Sequence, residues 1–180
     1  MIYLNSLADN LMPLVLDTSV LINLHASRRG YEILDALPNS VVLPQIVASE
    51  LEHETSKKNG EYKFIQDLLV SKNVSLTGLR EHEYDIFQSL VSRNHSLDDG
   101  EAATIAIAAS RGYLPIIDER KGRKRAQALI TDKQPGWSLD LFRHPKATTK
   151  LGPALSLDAL YAHSAEVGHL IRRKSAGCSD

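Results

Sequence analysis

Four short β-rich runs, LVL at 14–16, VVL at 41–43, NVSL at 73–76 and LPII at 114–117, are separated by stretches with helical spacing. Strands that alternate with helices pair in parallel, because each crossover uses a helix to return the chain to the same edge of the sheet. Such strands are covered on both faces, which is why they read as apolar runs rather than as an alternation. The expected class is therefore α/β, with a mostly parallel central sheet.

The helical stretches carry their own signals. Pro44 opens one that holds Ile46, Val47 and Leu51, proline being a good first-turn residue. Residues 61–71 bring Phe64, Ile65, Leu68 and Leu69 to one side, and residues 81–93 do the same with Tyr84, Phe87, Leu90 and Val91. LDDGEAATIAIAASRG reads as a helix so apolar that it must be buried, stopped by Gly112. After Thr131 the pattern weakens into a turn-rich stretch, followed by an amphipathic helix at about 156–172 with Leu157, Leu160, Tyr161 and Leu170. The expected organisation is one domain over 1–130 and an extension over 131–180.

Charge and cysteine content narrow the function classes. The net charge of −1 over 180 residues rules out a general cationic coat, so contact with nucleic acid would need a local patch. Cys178 is the single cysteine, which leaves neither a disulfide framework nor a cysteine zinc site and suits a reducing cytoplasm. MIYLNSLADN has no basic segment followed by an apolar one, and no run approaches membrane-spanning length, so neither a signal peptide nor a membrane association is expected.

The acids are the informative residues. In an open parallel sheet, sites form beyond the carboxyl ends of the strands. Asp17 ends the first run and Asp118 follows LPII, so the two face each other if these strands are neighbours. Each alone reads equally as a helix cap, Asp118 for the ERKGRKRA segment. Glu50 borders the apolar face that holds Val47 and Leu51, whereas Glu52 and Glu54 read as solvated. In SLDDGEA, Ser96 with Asp99 and Asp98 with Glu101 have capping-box spacing. Because the helix that follows is buried, those acids also arrive at the edge of the core. Carboxylates gathered there repel one another unless protonated or neutralised, and all-oxygen donors favour hard cations, Mg²⁺ or Mn²⁺.

Asp17 in VLDTSVLINL, Glu50 in PQIVASELE, Glu101 in LDDGEAATIAIA and Asp118 in LPIIDERKGRKRA resemble, in order and spacing, the motifs of PIN-domain nucleases. The LDxGEA and IIDxxxGR half is similar to a branch of bacterial and archaeal PIN proteins often described only as nucleic-acid-binding. The resemblance spans residues 13 to about 130. It implies a three-layer α/β/α sandwich and metal-dependent hydrolysis of phosphodiesters, usually in RNA. It implies that Asp17, Glu50, Glu101 and Asp118 are the catalytic and metal-binding residues. Glu101 sits where many members carry Asp, and Asp98 or Asp99 can take its place. Ser19 matches a small hydroxyl beside the first acid. The partners implied are RNA, the antitoxin protein of a toxin–antitoxin pair and a second copy of the chain. A different reading keeps the fold as a non-catalytic RNA-binding or interaction module.

Other chemistries fit poorly. Ser19 stands where a haloacid-dehalogenase phosphatase wants its second Asp, and the order of acids does not suit a response-regulator receiver. There is no H-E-x-x-H, no Gly-rich nucleotide cradle and no His partner for Ser19. Directly after Asp118 come Arg120, Lys121, Arg123, Lys124 and Arg125. Cations in a first helical turn oppose the dipole, so local stability does not account for them. They are either a solvated face or phosphate contacts for RNA, with Arg120, Arg123, Lys124 and Arg125 the candidates.

Overall fold

The computed structural model describes residue 7 and residues 11–71, 74–92 and 97–152. The strands β1 (Leu14–Leu16), β2 (Val41–Pro44), β3 (Val74–Thr77) and β4 (Leu114–Ile116) form one all-parallel sheet in the order β3-β2-β1-β4. Leu14 pairs with Val41 on one side and Leu114 on the other, and Leu16 pairs with Ile116. Asp17 and Asp118 thus follow neighbouring strands. Gly136 adds a parallel rung outside β4, where its N–H donates to the Pro115 carbonyl at 2.9 Å and its carbonyl accepts from Ile117 N–H at 2.9 Å.

The period of two along the strands sorts the core into layers. Leu14, Leu16, Val41 and Leu43 face a cluster with α1 (Thr18–Ala26), α2 (Gly30–Ala36) and α5 (Glu61–Val70). Val15 and Val42 face the opposite way, toward Ile107 and Ala108 of α7 (Asp99–Arg111). The α7 helix is buried from Gly100 to Ala108 and packs between α6 (Glu81–Val91) and α8 (Arg120–Leu129). The expected α/β/α arrangement is therefore present.

Two details differ from the sequence reading. Tyr84 is exposed, because α6 turns Glu83, Phe87 and Leu90 inward and Tyr84 lies about 100° away from Glu83 around the helix. The turn-rich stretch contains α9 (Ser138–Phe142) and α10 (Pro145–Leu151), which place Leu141, Phe142, Ala147 and Leu151 in the same core as β1. Between α2 and β4 the chain also forms α3 (Gln45–Glu50) and α4 (Glu54–Asn59). The amphipathic stretch at 156–172, Ser96 and Cys178 lie outside the described residues. Among the described residues no helix is long and apolar enough to cross a membrane.

Candidate active site

The first acid lies where β1 stops. Asp17 N–H continues the sheet's bonding by donating to the Ile116 carbonyl at 3.2 Å, and the side chain is buried at 2% exposure. Asp17 occupies the N-cap position of α1, yet its carboxylate does not cap the helix; Oδ2 accepts from the Ser19 hydroxyl at 2.7 Å. Burial pushes the carboxyl up to about 7, helped by the charges of Asp98 and Glu50 and opposed by the Ser19 and Thr18 hydrogen bonds.

Glu50 ends α3 and comes within the same electrostatic neighbourhood. Its Oε1 accepts from Gly100 N–H at 2.8 Å and its Oε2 from the Thr18 hydroxyl. Burial raises its pKa, with Asp98 and Asp99 adding repulsion against the Thr18 and Gly100 hydrogen bonds. The approach depends on glycine: a Cβ on Gly100 would stand 2.6 Å from Glu50 Oε2 and 2.9 Å from Thr18 Oγ1.

The acids of the LDDGEA stretch separate. Asp98 caps α7 by accepting from Glu101 N–H at 2.8 Å, and its charge acts on both Asp17 and Glu50. Asp99 is exposed and its charge bears on Glu50. Glu101 is buried and turned toward α8, where a Cβ on Gly122 would stand 2.5 Å from its Oε1.

Asp118 does not cap α8 as the sequence allowed; Glu119 takes that position. Its Oδ2 accepts from Asn23 Nδ2 at 2.7 Å, and its Oδ1 accepts from Ser138 N–H at 2.8 Å and the Ser138 hydroxyl at 2.9 Å. Oδ1 thus has both lone-pair directions used, while Oδ2 retains one. A single helix, α1, supplies hydroxyl or amide donors to three acids: Thr18 to Glu50, Ser19 to Asp17 and Asn23 to Asp118. Thr18, Asn23, Gly100 and Ser138 were not anticipated. An Asn inside the apolar VLINL helix was the available signal, since a buried amide needs a partner.

Among the described residues no three His, Cys, Asp or Glu side chains stand arranged around a common ion position. Glu50 and Asp118 accept hydrogen bonds from Thr18, Gly100, Asn23 and Ser138 instead. The donor chemistry nevertheless suits a hard dication, because the candidates are all carboxylates and the buried Asp17 resists ionising without a counter-charge.

The basic helix divides into two groups. Arg120, Lys121 and Lys124 are exposed and Arg125 partly so. Arg123 is committed to the protein: its Nη1 donates to the carbonyls of Ile117 at 2.8 Å and Asp118 at 2.6 Å, and its guanidinium lies 5.2 Å from the centre of the Trp137 ring.

A family model described as a PIN domain matches residues 13–131 of the chain. No curated protein and no solved structure matches it.

Proposed function

Since the chain belongs to the PIN-domain family, we propose that it is a metal-dependent ribonuclease that hydrolyses phosphodiester bonds at the carboxyl edge of its sheet. The observation that carries this reading is the buried Asp17 at the end of β1, beside the strand that leads to Asp118, with one helix, α1, holding Asp17, Glu50 and Asp118 through Ser19, Thr18 and Asn23. Asp17, Glu50 and Asp118 would hold the ion, with the remaining acid drawn from Asp98, Asp99 and Glu101. A bound Mg²⁺ or Mn²⁺ supplies Lewis acidity at the phosphoryl oxygen and a more acidic attacking water. Ser19 orients Asp17, Thr18 and Gly100 orient Glu50, and Asn23 and Ser138 orient Asp118. Arg120, Lys124 and Arg125 meet phosphates without reading sequence, whereas Arg123 acts by fixing the Ile117–Asp118 backbone.

In this reading the protein works in the cytoplasm as the toxin of a pair, restrained by an antitoxin protein and paired with a second copy of itself. The competing reading, a non-catalytic RNA-binding module, draws on the internal hydrogen bonds that occupy Glu50 and Asp118.

Metal binding tests the first reading. An ion that binds only the folded chain stabilises it by about 2.7 kcal/mol at a hundred times its Kd. Thermal melts with Mn²⁺ are therefore expected to rise by several degrees, and by much less in Asp118→Asn. An equal rise in both proteins would place the ion elsewhere.

Gly100→Ala examines the geometry. The closest atom, the far end of the flexible Glu50 side chain, can move aside and relieve the stiffer Thr18 hydroxyl, so the variant is expected to fold. The displaced Glu50 carboxylate should cost about a hundredfold in cleavage, the scale of a misplacement of about 1 Å. Cleavage at the normal rate in a folded Gly100→Ala protein would remove Glu50 from the site.

A further inference from the structure

Trp137 is the only tryptophan in the chain, and it immediately precedes Ser138, which holds Asp118. Its ring packs against the Arg123 guanidinium, which is itself bonded to the Asp118 carbonyl. Strand end, guanidinium and indole are thus linked in sequence, by hydrogen bonds at the first contact and by the cation over the ring at the second. With Arg123 against it, Trp137 is still 37% exposed. Arg123 also lines a shallow groove of about 330 Å³ with Arg120, Lys124, Gln127, Gln134 and Pro135.

A single exposed aromatic residue is ordinary on a protein surface. Position and charge set this one apart. It lies one residue from the group that orients an acid of the proposed site, next to a groove lined by exposed cations. Asp140 accepts from the Trp137 backbone N–H at 3.1 Å and also bonds its side chain, and the charges of Arg123 and Arg143 offset this acid. Cations along a backbone track together with an aromatic ring are what single-stranded nucleic acid uses: phosphates meet the charges and an unstacked base lies on the ring. A duplex keeps its bases stacked and cannot offer one.

We propose that Trp137, backed by Arg123, is a stacking platform for one base of a single-stranded nucleic acid whose phosphates follow the α8 groove. The platform rests on the nuclease reading for the identity of the substrate as RNA, but its binding is measurable without cleavage. Because Trp137 is the sole tryptophan among six tyrosines, fluorescence excited to the red of the tyrosine band reports on this residue alone.

The experiment titrates the metal-free full chain, in chelator, with an unstructured 12-nucleotide RNA, its DNA equivalent and the RNA duplex. Saturable quenching by the single strands and little by the duplex is expected; equal quenching by DNA also supports the platform. Anisotropy of a labelled RNA should show binding about tenfold weaker for Trp137→Leu, from the ~1–3 kcal/mol of base–aromatic stacking. Trp137→Phe should recover most of the affinity, and the Mn²⁺ melting shift should persist in both variants. Absence of quenching, equal quenching by the duplex, or unchanged binding by Trp137→Leu would overturn the proposal. Quenching without any cleavage in Mn²⁺ would overturn the nuclease reading and leave the platform standing. Cleavage with an unchanged KM in Trp137→Leu would do the reverse.

Discussion

Asp17→Asn is expected to lose cleavage by at least about a hundredfold while the metal-free protein becomes harder to unfold at pH 8. The loss follows from the few kcal/mol of transition-state stabilisation that a metal site contributes, at about 1.4 kcal/mol per tenfold in rate. The gain follows from burial. The Asp17 carboxyl is pushed up to about 7 in the folded chain, chiefly by desolvation, against about 4 when unfolded. A group raised on folding favours the native state fully below its unfolded pKa, and that contribution is lost as pH rises toward 7. At pH 8 the folded protein therefore carries an unfavourable buried charge, which the amide of Asn avoids while still accepting from Ser19. Melts in chelator should show wild type losing stability between pH 5 and pH 8, and the variant losing less. A variant that melts below wild type at pH 8 would contradict the desolvated-acid account.

Glu83→Ala is expected to destabilise the fold by about 3–5 kcal/mol, the cost of leaving one member of a buried ion pair alone. For a chain of this size that lowers the melting temperature by roughly 10 °C. Arg111 Nε donates to Glu83 Oε1 at 2.7 Å and Nη2 to Oε2 at 2.8 Å, with side-chain exposures of 8% and 0%. The same guanidinium donates to Thr77 Oγ1 and the Gly78 carbonyl, and Arg80 N–H donates to Glu83 Oε2. One pair thus joins the end of β3, the start of α6 and the last turn of α7, the helix whose other end carries Asp98 and Gly100. Burial alone would raise the Glu83 pKa, but the hydrogen bonds and charge of Arg111, with Arg80 N–H and His82, outweigh it and hold it below the usual range. The stabilisation is present above the unfolded pKa and disappears as pH falls through the folded one. Urea midpoints of wild type and variant should accordingly converge in acid. A difference below about 1 kcal/mol at pH 7 would show that Arg111 finds water instead.

The strands and the buried α7 were legible because their signals are local. LVL, VVL and LPII have no reading as exposed segments, and Gly112 takes the left-handed φ of 69° that ends α7. The positions of Asp17 and Asp118 beyond neighbouring strands follow from the same pattern. What escaped depends on partners distant in the chain. Tyr84 was expected on the inner face of α6, but Glu83 takes that face because it pairs with Arg111, 28 residues later in the chain. The helices α2, α9 and α10 span 7, 5 and 7 residues, too few turns for a period to show. Gly100 and Gly122 were the unread clue. Glycine inside a helix costs about 1 kcal/mol relative to alanine, and here each leaves room for a carboxylate, Glu50 beside one and Glu101 beside the other. Of the donors from α1, Ser19 was expected beside Asp17, but Thr18 and Asn23 were hidden, since nothing in DTSVLIN says that they meet Glu50 and Asp118.

The proposed reaction is the cutting of RNA by the carboxylates at the sheet's edge with a divalent ion. The most direct measurement is gel analysis of mixed structured and unstructured 5′-labelled RNAs incubated with wild type and Asp17→Asn, in Mn²⁺ and in chelator. Wild type should cleave in Mn²⁺ and not in chelator, with Asp17→Asn slower by at least about a hundredfold. Cleavage that survives chelation, an undiminished rate in Asp17→Asn, or no cleavage of any RNA by the folded wild-type protein would contradict it.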